Sequence, residues 1–156
     1  MSDGLVIIGY DGSETADHAI REAGRALGPR NALVVVVWEA GAAYESFEAA
    51  TYPGAAVDLP AAAAIDEALY EGARNTATRG VAAATEAGFR AEGVVTADER
   101  SVATTLAHLA SERGAAMVVV GARGHSRVER LFVGSTSRSI LESSPCPVLV
   151  VPAVRD

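Results

Sequence analysis

Apolar runs of strand length alternate along the chain with longer stretches in which alanine, isoleucine and leucine recur every three or four residues. The first run, Leu5-Val6-Ile7-Ile8, closes on Gly9-Tyr10-Asp11-Gly12-Ser13; an unbroken apolar run bounded by turn residues predicts a strand covered on both faces. Ala16, Ala19, Ile20, Ala23 and Leu27 then keep helical spacing until Gly28-Pro29 stops it. Leu33 to Trp38 predicts a second strand, and Glu39 to Pro60, which loses periodicity and carries Gly41, Pro53, Gly54 and Pro60, reads as a long surface loop. Ala61 to Ala87 reads as a long helix ending at Gly88, with Ile65, Leu69, Ala73 and Val81 near one face; Gly72 and Gly80 weaken its continuity.

Phe89 to Thr96 predicts a third strand, where Arg90 and Glu92 alternate with smaller residues and place it at a sheet edge with one solvated face. Ser101 suits the N-cap of a helix carrying Val102, Leu106 and Leu109 and closing at Gly114. Ala116 to Val120 is the most apolar strand, Ser135 opens a short helix through Ile140 and Leu141, and Pro145-Cys146-Pro147 leads into a last strand, Val148 to Val151. Strands that are apolar along their length and alternate with helices imply a single-domain, Rossmann-like α/β fold over residues 1–156. Its core is a doubly wound five-stranded parallel sheet of order 3-2-1-4-5, with helices on both faces and right-handed crossovers. In such a sheet ligands bind beyond the carboxyl ends of the strands where the order reverses, here between strands one and four.

Composition narrows the chemistry. The chain has 156 residues, 49% of them apolar, and a formal net charge of −7. All 13 basic residues are arginine, which removes the P-loop lysine, the kinase-type strand lysine and Schiff-base chemistry. An acidic balance also argues against nucleic-acid or anionic-membrane binding, which needs a broad basic face. The single cysteine, Cys146, has no internal disulfide partner, nothing resembling a signal peptide precedes Leu5, and no apolar stretch is long enough to span a bilayer. A cytoplasmic protein is the expectation.

Candidate chemistry gathers at the ends of strands one and four, at Asp11 and at Gly121-Ala122-Arg123-Gly124. Gly121 and Gly124 are two residues apart, nine residues separate Gly124 from Gly134, and Ser135 follows at once. Glycines let backbone amides approach an anion. A helix start at Ser135, Thr136 and Ser137 adds free N–H groups, hydroxyls and the positive end of the helix dipole, all suited to phosphate. From Gly121 to Arg138 four arginines face one acid, a local charge of +3 that leaves −10 for the rest. Tyr10 and Trp38 read as packing residues and Cys146 as a half-buried small residue at a strand start. His18, His108 and His125 are too scattered for a metal site.

The spacing Gly121-x-x-Gly124, nine residues, Gly134-Ser135 resembles the ATP-binding signature of the universal stress protein family. The likeness extends to Ile7-Ile8-Gly9-Tyr10-Asp11-Gly12-Ser13, Val35-Val36-Val37-Trp38-Glu39, Val119-Val120-Gly121 and Cys146-Pro147-Val148-Leu149-Val150-Val151. The resemblance implies that Asp11 contacts the nucleoside at the ribose and that the main chain of Val37 meets the adenine. It implies further that Val120 and Gly121 line the adenosine and phosphate end, and that Gly124, Gly134, Ser135, Thr136 and Ser137 hold the phosphates. Mg²⁺ or Mn²⁺ would ride on the phosphate oxygens, with no metal ligand from protein side chains. Many members carry a histidine where this chain has Val36, a difference for packing more than for binding.

The function so implied is that of an ATP-binding regulatory protein of the stress response, not an enzyme, since no convincing catalytic set accompanies the site; slow ATP hydrolysis stays open. AMP or cyclic AMP as the ligand, and a nucleotide-independent dimeric scaffold, remain open alternatives. An adenylating enzyme would need a glycine- and serine-rich loop directly after strand one, where this chain has only Asp11-Gly12-Ser13. A short apolar last strand at an edge invites pairing, as in family members that dimerise there, so a homodimer through residues 148–151 is expected.

Overall fold

The computed structural model describes residues 4–41, 58–98, 100–122 and 134–154. Five strands, β1 (Val6–Gly9), β2 (Asn31–Trp38), β3 (Arg90–Ala97), β4 (Met117–Gly121) and β5 (Val148–Val151), form one parallel sheet of order β3-β2-β1-β4-β5. Helices α1 (Glu14–Leu27), α2 (Leu59–Glu86), α3 (Val102–Glu112) and α4 (Ser135–Ser143) alternate with them. The predicted strand order and the edge positions of β3 and β5 are those observed.

Because a strand's side chains alternate in direction, each central strand supplies both layers of the core. Ile8, Val34, Val36 and Val119 pack with Ile20 and Ala23 of α1 and Ala77 and Ala84 of α2 on one face. On the other, Ile7, Val35, Val118 and Val120 pack with Leu106 and Ala110 of α3 and Ile140 of α4.

Several expectations shift. β1 and β4 each begin one residue later than predicted and run onto the glycine that ends them. Strand β3 begins at Arg90, and Phe89 before it is buried under α1 and α2. Its face bearing Arg90 and Glu92 is solvated at that end, but Val94 beyond them packs against the α3 side of the core.

Helix α2 starts at Leu59, where the Asp58 carboxylate accepts the Ala61 N–H at 3.1 Å. Pro60, assigned above to the loop, therefore sits in the first helical turn, where its missing N–H leaves nothing unpaired. The helix runs unbroken through Gly72 and Gly80. Its inner face is Ala62, Ala73, Ala77, Gly80 and Ala84, not Ile65 and Leu69, which are 43% and 46% exposed. Small side chains win that face because they let the helix lie close against the sheet. Of the predicted loop Glu39 to Pro60, residues 42–57 lie outside the described residues. Ser101 caps α3 as expected, its Oγ accepting the Thr104 N–H at 3.1 Å. Helix α4 opens at Ser135 as expected, with Gly134 in the N-cap position.

Candidate functional site

Strand β1 delivers its chain into a tight turn. Tyr10 extends the strand by donating its N–H to the Val35 carbonyl at 2.9 Å. The Asp11 carboxylate then accepts the Ser13 N–H at 3.0 Å, and Ser13 Oγ accepts the Ala16 N–H at 3.1 Å as the cap of α1. Gly12 between them holds φ +78°, a left-handed conformation that favours glycine. Asp11-Gly12-Ser13 is thus both a helix-starting turn and the carrier of a half-buried carboxylate.

Strand β4 ends beside it, and three hydrogen bonds tie that end to its surroundings. The Ala122 N–H donates to the Val151 carbonyl and the Gly134 N–H to the Ala122 carbonyl, both at 2.8 Å; Ser137 Oγ donates to the Gly121 carbonyl at 2.9 Å. The first turn of α4 is thereby fixed at the mouth of the sheet. A side chain on Gly121 would begin 2.9 Å from Thr15 Cγ2, so the residue is glycine because α1 starts against it.

Gly134 brings no side chain to cap α4, and the first intrahelical bond is from the Arg138 N–H to the Gly134 carbonyl. The N–H groups of Ser135, Thr136 and Ser137 in that first turn have no intrahelical acceptor, which makes the turn a ready anion site. The Ser137 hydroxyl is buried and gives its proton to Gly121, so it locks the turn in place and leaves its N–H as the group to offer.

These ends enclose a cleft of about 440 Å³. Asp11, Val37, Val120, Gly121, Gly134, Ser135, Thr136 and Ser137, singled out above from the sequence, all border it. Gly124 lies outside the described residues, as do Arg123, Arg127 and Arg130 of the basic island and His125. Arg138, the island's described member, is exposed and does not border the cleft.

Sequence reasoning missed the rest of the lining. Val35 and Glu39 share the strand parity of Val37 and so flank it on the same face; Val102 and Leu106 stand one turn apart on α3 and close the apolar wall. Gly9 forms part of the floor between Leu106 and Val120. From β2 across β1 to β4 the cleft therefore passes from Glu39 through Asp11 to the α4 N-terminus. One end accepts hydrogen bonds, the other offers donors and a positive dipole, and an apolar wall lies between.

Tyr10 turns its ring away into the α1–α2 core, where its hydroxyl donates to Asp17 Oδ1 at 2.6 Å. Burial, then the hydrogen bond to Asp17, push its pKa up from 10.0 to about 12. Trp38 lies 5.4 Å from the Tyr70 ring, tilted by 58°. Both aromatics pack as expected. Among the described residues no cluster of three or more His, Cys, Asp or Glu side chains could hold a metal ion, and no helix is long and apolar enough to cross a membrane.

Residues 5–152 match the model of the universal stress protein family. A universal stress protein of Mycolicibacterium smegmatis is 29% identical over 149 residues, covering 94% of this chain and 47% of the relative. Universal stress protein YxiE of Bacillus subtilis is 37% identical over 68 residues, 44% of this chain and 45% of its own. The matched segments thus span less than half the length of these curated relatives. Among solved structures, hypothetical protein MJ0577 aligns over the whole of both chains at TM-score 0.78 with 16% identity. The universal stress protein of Archaeoglobus fulgidus in complex with dAMP aligns at TM-score 0.62 with 20% identity, covering 94% of this chain and 95% of its own. A universal stress protein in complex with cAMP aligns at 0.57 with 22% identity, covering 96% of each chain.

Proposed function

The chain belongs to the universal stress protein family, and from that premise we propose that the cleft binds an adenine nucleotide, ATP in the first instance, to regulate a cytoplasmic stress response. The observation that carries this reading is the convergence of an apolar wall, a half-buried carboxylate and an uncapped helix N-terminus on one cleft. Its volume falls within the roughly 300–1,000 Å³ usual for small-ligand sites. Adenine would lie along Val35, Val37, Val120 and Leu106, ribose hydroxyls would donate to Asp11, and phosphates would take the N–H groups of Ser135, Thr136 and Ser137. Gly124 joins that phosphate end on the strength of the family signature alone. Mg²⁺ or Mn²⁺ would be carried by the phosphate oxygens.

Binding fits this site better than turnover. Main-chain donors at a helix end hold a phosphate in the ground state, and among the described residues that border the cleft there is no arginine to take the charge that develops as a phosphoryl group is transferred. A one-phosphate ligand is the second reading, favoured by the dAMP and cAMP complexes of the structural relatives and by the single helix turn that serves the phosphate end. Competition calorimetry among ATP, AMP and cyclic AMP separates them. Tightest binding of ATP supports the first reading, a preference for AMP or cyclic AMP the second, and no heat with any of the three sinks both. Pairing of β5, an edge strand, with a second copy belongs to the same proposal.

A further inference from the structure

Behind the acidic turn of the cleft lies one turn of α2. Arg79 reaches across 67 positions of sequence and donates through Nη2 to the Gly12 carbonyl at 3.3 Å. Thr76, on the same helical face, places Cγ2 3.2 Å from where a Gly12 side chain would begin. Gly80, next to Arg79, makes room for the Tyr10 ring; a Cβ there would stand 2.7 Å from Tyr10 Cδ1. Thr76, Arg79 and Gly80 are related as i, i+3 and i+4 and so act from one face of the helix.

The residues they grip, Tyr10 and Gly12, flank Asp11, whose carboxylate borders the cleft. Asp17, Arg21 and Glu86 share a groove with Arg79, yet among the described residues its one hydrogen-bond partner is the Gly12 carbonyl. Gly12, with no side chain and a positive φ, is the freest joint of the turn. The Ser13 N–H fixes the Asp11 carboxylate relative to the start of α1, and the bond from Arg79 fixes the joint itself.

We propose that Arg79 is a positioning residue of the nucleotide site: by holding the Gly12 carbonyl it sets the turn in the conformation that presents Asp11 to the ligand. The inference rests on the nucleotide reading of the cleft. Arg79→Met removes the donors and keeps the stem, whereas Arg79→Lys keeps a donor. ATP affinity is measured by calorimetry for the parent and both variants, with and without Asp11→Asn, and amide exchange at Ser13 is followed in ligand-free protein. Arg79→Met should weaken ATP binding about fivefold, the worth of one ordinary hydrogen bond, and Arg79→Lys should restore most of it. In the Asp11→Asn background Arg79→Met should cost nothing more, and the Ser13 amide should exchange faster in Arg79→Met than in the parent. Parental affinity in Arg79→Met, or losses at Asp11 and Arg79 that add in full, overturns the proposal. If the parent binds none of ATP, AMP and cyclic AMP, the nucleotide reading fails on its own. The Ser13 amide then decides: unchanged exchange in Arg79→Met overturns the positioning role, and faster exchange sustains it.

Discussion

Tyr10 joins the two faces of the sheet. Its main chain continues β1 into the cleft, and its ring, 5% exposed, packs on the other side with its hydroxyl on Asp17. A phenol whose pKa is raised on folding holds its proton more tightly in the native state than in the unfolded chain. The stabilisation is therefore complete below pH 10, where both states are protonated, and is lost as pH rises from 10 to about 12. That rise in pKa corresponds to roughly 3 kcal/mol. Thermal melts across this range should show a steeper loss of stability in the parent than in Tyr10→Phe. Parallel curves would mean that Tyr10 titrates as it does in the unfolded chain.

The two glycines inside α2 look alike in sequence and differ in the structure. Nothing stands within 4 Å of a side chain added at Gly72, whereas one added at Gly80 would meet Tyr10 and Val34 at 2.7 and 2.8 Å. Gly72→Ala should stabilise the protein by about 0.5–1 kcal/mol through helix propensity alone. Gly80→Ala should destabilise it by about 1–3 kcal/mol through overpacking. Denaturant melts of the two variants should move in opposite directions; movement in the same direction would contradict the packing of α2. The same helix shows where reading the sequence stops. Strands such as Val118 to Val120 are legible because a parallel strand buried on both faces is apolar at every position. The inner face of α2 is not, because alanine and glycine make the contact while the more hydrophobic Ile65 and Leu69 stand outside. At the cleft, the turn after β1 and the glycine-bounded helix start after β4 announce themselves locally. Glu39, Val102 and Leu106 do not, because only the tertiary arrangement brings the end of β2 and the first turns of α3 against them.

At the scale of the whole molecule, strand order places donors, carboxylates and an apolar wall in one cleft, and it leaves β5 at an edge. Light scattering should give twice the 16.0 kDa chain mass at micromolar concentration, and the monomer mass would contradict pairing through β5. The central claim concerns the cleft, and Val102 gives the cleanest handle on it. This residue is 38% exposed at the start of α3 and borders the cleft, so Val102→Trp fills the space while displacing little of the core. Calorimetric titration of ATP into the parent and into Val102→Trp, with melting temperatures measured alongside, is the direct test. Binding by the parent and a loss of roughly tenfold or more in the variant, about 1.4 kcal/mol, at an unchanged melting temperature is the predicted result. Equal affinity in the two proteins, or no binding by the parent, would contradict it.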